Sequence, residues 1–193
     1  LSLYGLMLEE GTPLYQRYSL EGNPCLHSQF DLLPDENLQA EMYAWAVSRL
    51  KHGGYRHYET SNFARKGYEC RHNLGYWRGE DYLGVGPGGV SCLKKVRWKN
   101  IEDVRTYWQR LVEDKTFIDE AGEEVLTLRE CMAERIILGL RLEEGVDLQA
   151  FQKDFGADLR DIYQGVLERY ANKDVFRIEG DFLRLNAKYS FVA

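Results

Sequence analysis

Residues 70–89 read CRHNLGYWRGEDYLGVGPGG and contain six of the chain's eighteen glycines. Because glycine has no Cβ, a run this rich predicts tight turns or a close approach of the backbone to a neighbour or a ligand. The segment GVGPGG matches the pattern G-x-G-x-x-G, but the VSCLKK that follows lacks the pattern of the amphipathic helix a dinucleotide fold requires. These residues therefore disfavour a dinucleotide site and predict a structural or ligand-facing loop.

Four side chains near the start of this stretch have ligand chemistry. His72 carries an imidazole that can bind a metal ion, and Asn73 is a neighbour that can orient it. Tyr76 and Trp77 supply rings that can cover an aromatic macrocycle. The residues leave a second interpretation open, in which His72 is a structural hydrogen-bonding residue.

The cysteines disfavour two kinds of metal site. Cys25-x-His27 and Cys70-x-His72 can in principle share a zinc ion, but C-x-H is shorter than the usual spacing of zinc ligands. No C-x-x-x-C-x-x-C is present, so this chain does not supply the cysteines of an iron–sulfur cluster. Four widely separated cysteines predict reduced thiols and a cytoplasmic location.

Charge is distributed unevenly along the chain. The net charge of −6 argues against general nucleic-acid binding. Between Arg65 and Lys99, however, eight basic residues face three acidic ones, and such an island attracts an anionic ligand. A solvated basic face without a ligand is the alternative. No apolar run approaches the ~20 residues that span a bilayer, so we predict no transmembrane segment.

The first half of the chain predicts a strand, a helix and a second strand. Residues 1–8 are mostly apolar and predict a strand. Asp35 is placed to cap a helix that ends at Gly53. Its predicted core face consists of Leu38, Met42, Trp45 and the aliphatic part of Arg49.

The second strand covers residues 55–63, YRHYETSNF. Strand, helix and strand in this order predict a right-handed parallel crossover. Residues 70–89 would then follow the carboxyl end of a strand, where open sheets and barrels bind ligands. Glu59, in that strand, is either a polar anchor at the strand end or a solvent-facing carboxylate.

The second half predicts helices and a hairpin. Asn100 is placed to cap a helix over residues 104–112, and an acidic loop at residues 119–124 marks a domain boundary. Further helices are predicted from the capping box at Thr127 to Leu140, from Asp147 to Gly156, and over residues 159–170, before a hairpin at Gly180-Asp181. Three helices and a hairpin form a winged-helix-like module. Residues 127–193 carry ten basic and twelve acidic residues, which disfavours DNA binding.

YETSNFARKGYECRHNLGYWRGEDYLGVGPGG, followed by RWKN, resembles the blocks Y-E-x-S-N-F-A, H-N-x-x-Y-W, D-Y-L-G-x-G-P-G and R-W-N. These blocks belong to the oxygen-independent coproporphyrinogen III oxidase-like family of radical S-adenosylmethionine proteins, and the match is best to its haem chaperone type. The resemblance covers essentially the whole chain. It implies an α+β fold class: residues 1–120 would be the last strands and helices of a partial (β/α) barrel. Residues 121–193 would be a winged-helix-like C-terminal domain.

The resemblance also implies roles for individual residues. His72, Asn73, Tyr76 and Trp77 would form the haem-binding element, with His72 as the iron ligand. A second set would face the barrel interior or a cofactor, namely Glu59, Ser61, Asn62, Gly84, Gly86 and Gly88. Val90 stands where the family usually has a histidine. A 4Fe–4S cluster and S-adenosylmethionine would be bound by an N-terminal half that this sequence lacks.

The resemblance implies two alternative functions, and the winged-helix-like module supports a third. The first is a haem chaperone that binds haem and delivers it to apoproteins, its partners being haem or a porphyrin, acceptor proteins and the N-terminal half. The alternative is an oxidase that decarboxylates the propionates of coproporphyrinogen III by radical chemistry. A third hypothesis is a domain that packs against the barrel or recognises a partner without a ligand of its own.

Overall fold

The computed structural model describes residues 1–19, 33–186 and 189. It divides into two compact units, Leu1–Tyr68 and Glu69–Ala193. The fold is α+β, and the paired strands in the described part of the chain are antiparallel. No helix among the described residues has the length and hydrophobicity needed to cross a membrane.

The first unit consists of α1 (Pro13–Ser19), α2 (Glu36–His52), β1 (Arg56–Glu59) and β2 (Asn62–Ala64). The predicted extent of α2 is confirmed: the carboxylate of Asp35 accepts from the backbone N–H of Leu38 at 2.8 Å, and the helix ends at Gly53. Helix α1 was not predicted, although Pro13 in the first helical position is a recognised start signal.

The predicted core face of α2 is wrong. Leu38, Met42 and Trp45 are 48%, 55% and 69% exposed. The opposite face turns inward, because the hydroxyl of Tyr43 donates to the backbone oxygen of Thr60 at 2.7 Å. Both faces of α2 carry apolar side chains, so hydrophobic spacing alone does not identify the inward one.

The predicted strand at residues 55–63 is two strands. β1 and β2 pair antiparallel around a turn at Thr60 and Ser61, with Glu59 opposite Asn62. The predicted parallel crossover is wrong, because its first strand is absent from the described residues 1–19 and the contact made by that segment is antiparallel. Residues 1–8 form no strand of their own; Ser2 makes a single antiparallel bridge to Asn62.

The second unit begins with α3 (Arg71–Trp77), then β3 (Val90–Leu93), β4 (Val96–Asn100), α4 (Val104–Val112) and β5 (Ile118–Val125). The three strands form an antiparallel sheet in the order β3-β4-β5. Two predictions are corrected here. Asp103, and not Asn100, caps α4 by accepting from the N–H of Thr106 at 2.8 Å. Residues 119–124, predicted as an acidic loop, lie within β5 and pair with β4.

Residues 126–186, the C-terminal module, contain α5 (Leu128–Gly139), β6 (Val146–Asp147), α6 (Leu148–Phe155), α7 (Leu159–Ile162), α8 (Gln164–Ala171), β7 (Phe176–Glu179) and β8 (Phe182–Leu185). The capping box at Thr127, the cap at Asp147, the left-handed Gly156 and the hairpin at Gly180 are confirmed. The third predicted helix is split into α7 and α8 at Tyr163. The core of the module consists of Val146, Leu148, Phe151, Leu159 and Leu183.

Candidate functional site

Helix α3 carries the four side chains predicted to bind a ligand. It begins after Cys70 and ends at Arg78, where Gly79 adopts a left-handed conformation with φ of +67°. The imidazole of His72 is exposed, and the described residues give it no hydrogen bond. Tyr76 lies one helical turn after His72, so the two side chains share a face of the helix.

The other two α3 residues have partners elsewhere. The side-chain oxygen of Asn73 accepts from the thiol of Cys70, with 3.4 Å between sulfur and oxygen, and so it is not placed to orient His72. The guanidinium carbon of Arg141 lies 4.7 Å from the centre of the Trp77 ring. Trp77 therefore attaches α3 to the C-terminal module.

The ring of Tyr76 lies beside a cavity of about 670 Å³. The centre of the Tyr76 ring is 5.1 Å from the centre of the Tyr82 ring, and Tyr76 is 39% exposed. We call this space the Tyr76 cavity; it lies between β3, β4 and α5, and its apolar and aromatic lining includes Tyr76, Tyr82, Leu126, Leu138 and Phe155. Its volume is within the range of about 300–1,000 Å³ that holds drug-sized ligands.

Burial changes the pKa of two polar groups that line the Tyr76 cavity. Burial, and then the nearby Tyr76, raise the pKa of Tyr82 above its usual value. Burial likewise raises the pKa of the Cys92 thiol. Both groups are therefore neutral at pH 7, since desolvation disfavours their charged forms.

The arginines of the Tyr76 cavity are already paired. Arg97 donates to the carboxylate of Glu134 at 2.6 Å, and this hydrogen bond raises the pKa of Arg97. Arg135 lies 2.7 Å from the carboxylate of Asp154. These two pairs connect the sheet and the helices of the second unit and leave little positive charge on either arginine for a ligand.

Residues 84–89, the glycine loop, are held by buried polar side chains. A Cβ on Gly84 would lie 2.4 Å from the backbone oxygen of Val90, so only glycine fits there. The backbone N–H of Gly84 donates to Ser91 Oγ at 2.9 Å, and Asn100 Nδ2 donates to the backbone oxygen of Gly86 at 2.9 Å. Gly86 and Gly88 both have positive φ, at +88° and +69°.

Asn100 is a residue that sequence reasoning assigned to another role. It is 1% exposed, and its amide bonds to the glycine loop rather than to α4. No local pattern indicated this, because the loop residues that it binds precede it by fourteen and sixteen positions.

The remaining predicted residues lie in the first unit. Glu59 is fully buried, and neither oxygen of its carboxylate has a hydrogen-bond partner among the residues that the structure describes. The prediction of a solvent-facing carboxylate is therefore wrong. Ser61 and Asn62 are also buried, and the side chain of Asn62 accepts from the hydroxyl of Ser2. Because Glu59, Ser61 and Asn62 belong to one unit and α3 to the other, they form two separate groups of candidates.

Comparison with known proteins places this arrangement in a family. The chain is 34% identical to the haem chaperone HemW of Lactococcus lactis over 163 residues, which cover 84% of this chain and 40% of that protein. It is 35% identical to HemW of Bacillus subtilis over 172 residues, covering 89% of this chain and 43% of that protein. The chain belongs to the HemW family.

The matches also locate parts of the HemW family within the chain. Residues 126–188 match the HemN C-terminal domain, which corresponds to the C-terminal module. The mouse protein named radical S-adenosyl methionine domain-containing protein 1, mitochondrial, is 33% identical over 164 residues, covering 79% of this chain and 34% of that protein. The chain thus spans about two-fifths of the length of the HemW relatives that it matches.

A solved structure supports the fold. Coproporphyrinogen III oxidase (HemN) from Escherichia coli, a radical SAM enzyme, matches with a TM-score of 0.64 at 17% identity, over 86% of this chain and 41% of HemN. This likeness confirms the α+β fold of the HemW-type chain.

Of the two prosthetic groups considered, haem and an iron–sulfur cluster, the described residues fit haem better. The exposed imidazole of His72 is a donor suited to haem iron, and the aromatic and apolar side chains of the Tyr76 cavity, which His72 itself does not line, suit a flat apolar ring. An iron–sulfur cluster does not fit, because the described residues contain no group of three or more cysteine, histidine or acidic side chains arranged around a metal. Cys25 and His27, considered for zinc, lie outside the described residues.

Proposed function

We propose that this chain binds haem on α3 and serves as part of a haem chaperone that delivers haem to acceptor proteins. The observation that carries the proposal is that the exposed His72, which has no hydrogen bond among the described residues, lies one helical turn before Tyr76, and Tyr76 lines the cavity. The name of the HemW relatives supports it, because those proteins are called haem chaperones. Decarboxylation of a porphyrinogen has less support, since the likeness to HemN concerns the fold.

In this proposal an imidazole nitrogen of His72 would hold the haem iron, and haem would supply that metal. Tyr76 would lie against the ring, and the contact of Trp77 with Arg141 attaches α3 to the C-terminal module. Asn73 would belong to the same haem-binding element, although its side chain is bonded to Cys70. The three glycines Gly84, Gly86 and Gly88 shape the neighbouring loop.

The first unit would face the N-terminal half of the complete protein, where the cluster and S-adenosylmethionine are proposed to bind. We propose Glu59 as the residue of this unit that faces the barrel interior or a cofactor, because a buried carboxylate with no hydrogen-bond partner among the described residues is costly. Ser61 and Asn62 adjoin it at the β1–β2 turn. By analogy with the family, we propose that residues 1–120 are the C-terminal part of the barrel and that residues 121–193 are the C-terminal domain.

We propose a cytoplasmic location. Cys70, Cys92 and Cys131 are free thiols in the structure, which is the usual state of cysteines in a reducing compartment.

Haem titration tests the proposal directly. We expect the chain to bind haem saturably, with a shifted Soret band, and we expect His72→Ala to weaken binding by about tenfold or more because the iron loses its ligand. His52→Ala is the matched control, since His52 is an exposed histidine on α2. Equal loss of affinity in both variants, or no loss in either, would contradict the assignment of His72.

A further inference from the structure

The turn between β3 and β4 has an unusual composition. Leu93 pairs with Val96, so Lys94 and Lys95 alone form the turn. Both lysines have positive φ, at +49° and +70°. Two-residue hairpin turns of this kind favour Asn-Gly or Asp-Gly, because a side chain with a Cβ is strained in this conformation.

The surrounding structure holds the two lysines in this strained turn. The backbone N–H of Lys94 donates to the carboxylate of Asp81 at 3.0 Å, and the backbone oxygen of Lys95 accepts from Leu126 at 2.8 Å. Strained backbone that is fixed from both sides is concentrated at functional sites.

Lys94 and Lys95 are both among the residues that line the Tyr76 cavity. The two arginines there are engaged by Glu134 and Asp154, as described above. Neither lysine amino group has an ion pair within the part of the chain that the structure describes. Two adjacent positive charges thus lie beside the apolar part of the cavity, whose lining also includes the acidic residues Glu80 and Asp81. Asp81 already accepts a hydrogen bond from the backbone of Lys94.

This combination suits an amphipathic ligand with a flat apolar body and two carboxylates on one edge. The apolar body of the ligand would be buried against Tyr76, Tyr82 and Phe155, because removing apolar surface from water is favourable. The carboxylates would lie near the lysine side chains, whose flexible stems allow each ammonium to reach an anion. Haem has this chemistry, with two propionates on one side of its ring.

We propose that Lys94 and Lys95 bind the two propionate carboxylates of haem at the Tyr76 cavity. This inference rests on the proposed function and adds to it the residues that select a dicarboxylate ligand. It also explains why lysines occupy a turn in which asparagine and glycine would be less strained.

The test is a double substitution, K94N/K95G, in the full chain. It removes both charges and supplies the residues that the turn conformation prefers, so the variant is expected to fold at least as stably as the original. We expect its Kd for ferric haem to rise about tenfold, the effect of two partly exposed ion pairs. Haem dimethyl ester, whose propionates are uncharged, should bind the original chain and the variant equally.

A second variant, K51Q/K153Q, controls for the loss of two positive charges, because both lysines are exposed and neither is among the residues that line the cavity. It should bind haem as the original chain does. Equal haem affinity in K94N/K95G and the original chain would overturn the assignment of the lysines and leave haem binding intact. No haem binding by the original chain would overturn the proposed function and this inference together.

Discussion

In the C-terminal module, Phe151, Leu159 and Leu183 are each at most 2% exposed, whereas beside the glycine loop the most deeply buried side chains are Ser91 and Asn100. The module is held by apolar packing between its helices and its hairpin. The loop is held by hydrogen bonds from two polar side chains to its backbone. Apolar packing stabilises the C-terminal module as a whole. The hydrogen bonds of the glycine loop instead fix the path of one segment of backbone next to the proposed ligand cavity.

The largest effect is expected from the apolar core. Phe151→Ala should reduce the free energy of unfolding by about 3–5 kcal/mol, because it removes a fully buried ring and leaves a cavity. Denaturant unfolding followed by circular dichroism measures this change. Val166→Ala, at an exposed position on α8, is the control and should change stability by less than about 0.5 kcal/mol. If the two substitutions had similar effects, the assigned core of the module would be wrong.

A smaller effect is expected at the glycine loop. Gly84→Ala should destabilise the chain by about 1–3 kcal/mol, because its Cβ would meet the backbone of Val90 and Gly89. Gly165→Ala is the matched control, since a Cβ there meets nothing within 4 Å and the residue lies in α8. It should stabilise the chain by up to about 1 kcal/mol. Opposite signs in thermal unfolding would support the described path of the loop.

The same contrast explains how far the sequence predicts the structure. The C-terminal module follows from local signals: Thr127 and Glu130 form the predicted capping box, and Asp147 and Gly156 begin and end α6 as expected. Each of these signals acts within a few residues. The predicted hairpin at Gly180 is confirmed for the same reason.

The sequence-based predictions are wrong where contacts between residues far apart in the chain determine the structure. The inward face of α2 is set by the bond between Tyr43 and Thr60, and periodicity gives no information about it. The burial of Glu59 depends on the packing of a whole unit. At the candidate site, His72 and Tyr76 were identified from their chemistry, whereas the cavity and the available Lys94 and Lys95 emerge only from the fold.

The smallest effect concerns the residue with two competing assignments. Asn100→Ala removes the donor to Gly84 and Gly86 and should cost about 0.5–1.5 kcal/mol, the net value of one good hydrogen bond, because the two loop carbonyls lose that partner. Amide hydrogen exchange resolves where the loss is felt. If Asn100 supports the loop, exchange should rise at residues 84–89 while α4 stays protected, because Asp103 still caps that helix. Faster exchange confined to the first turn of α4 would instead restore Asn100 as a helix cap. It would also remove the polar support that distinguishes the loop from the C-terminal module.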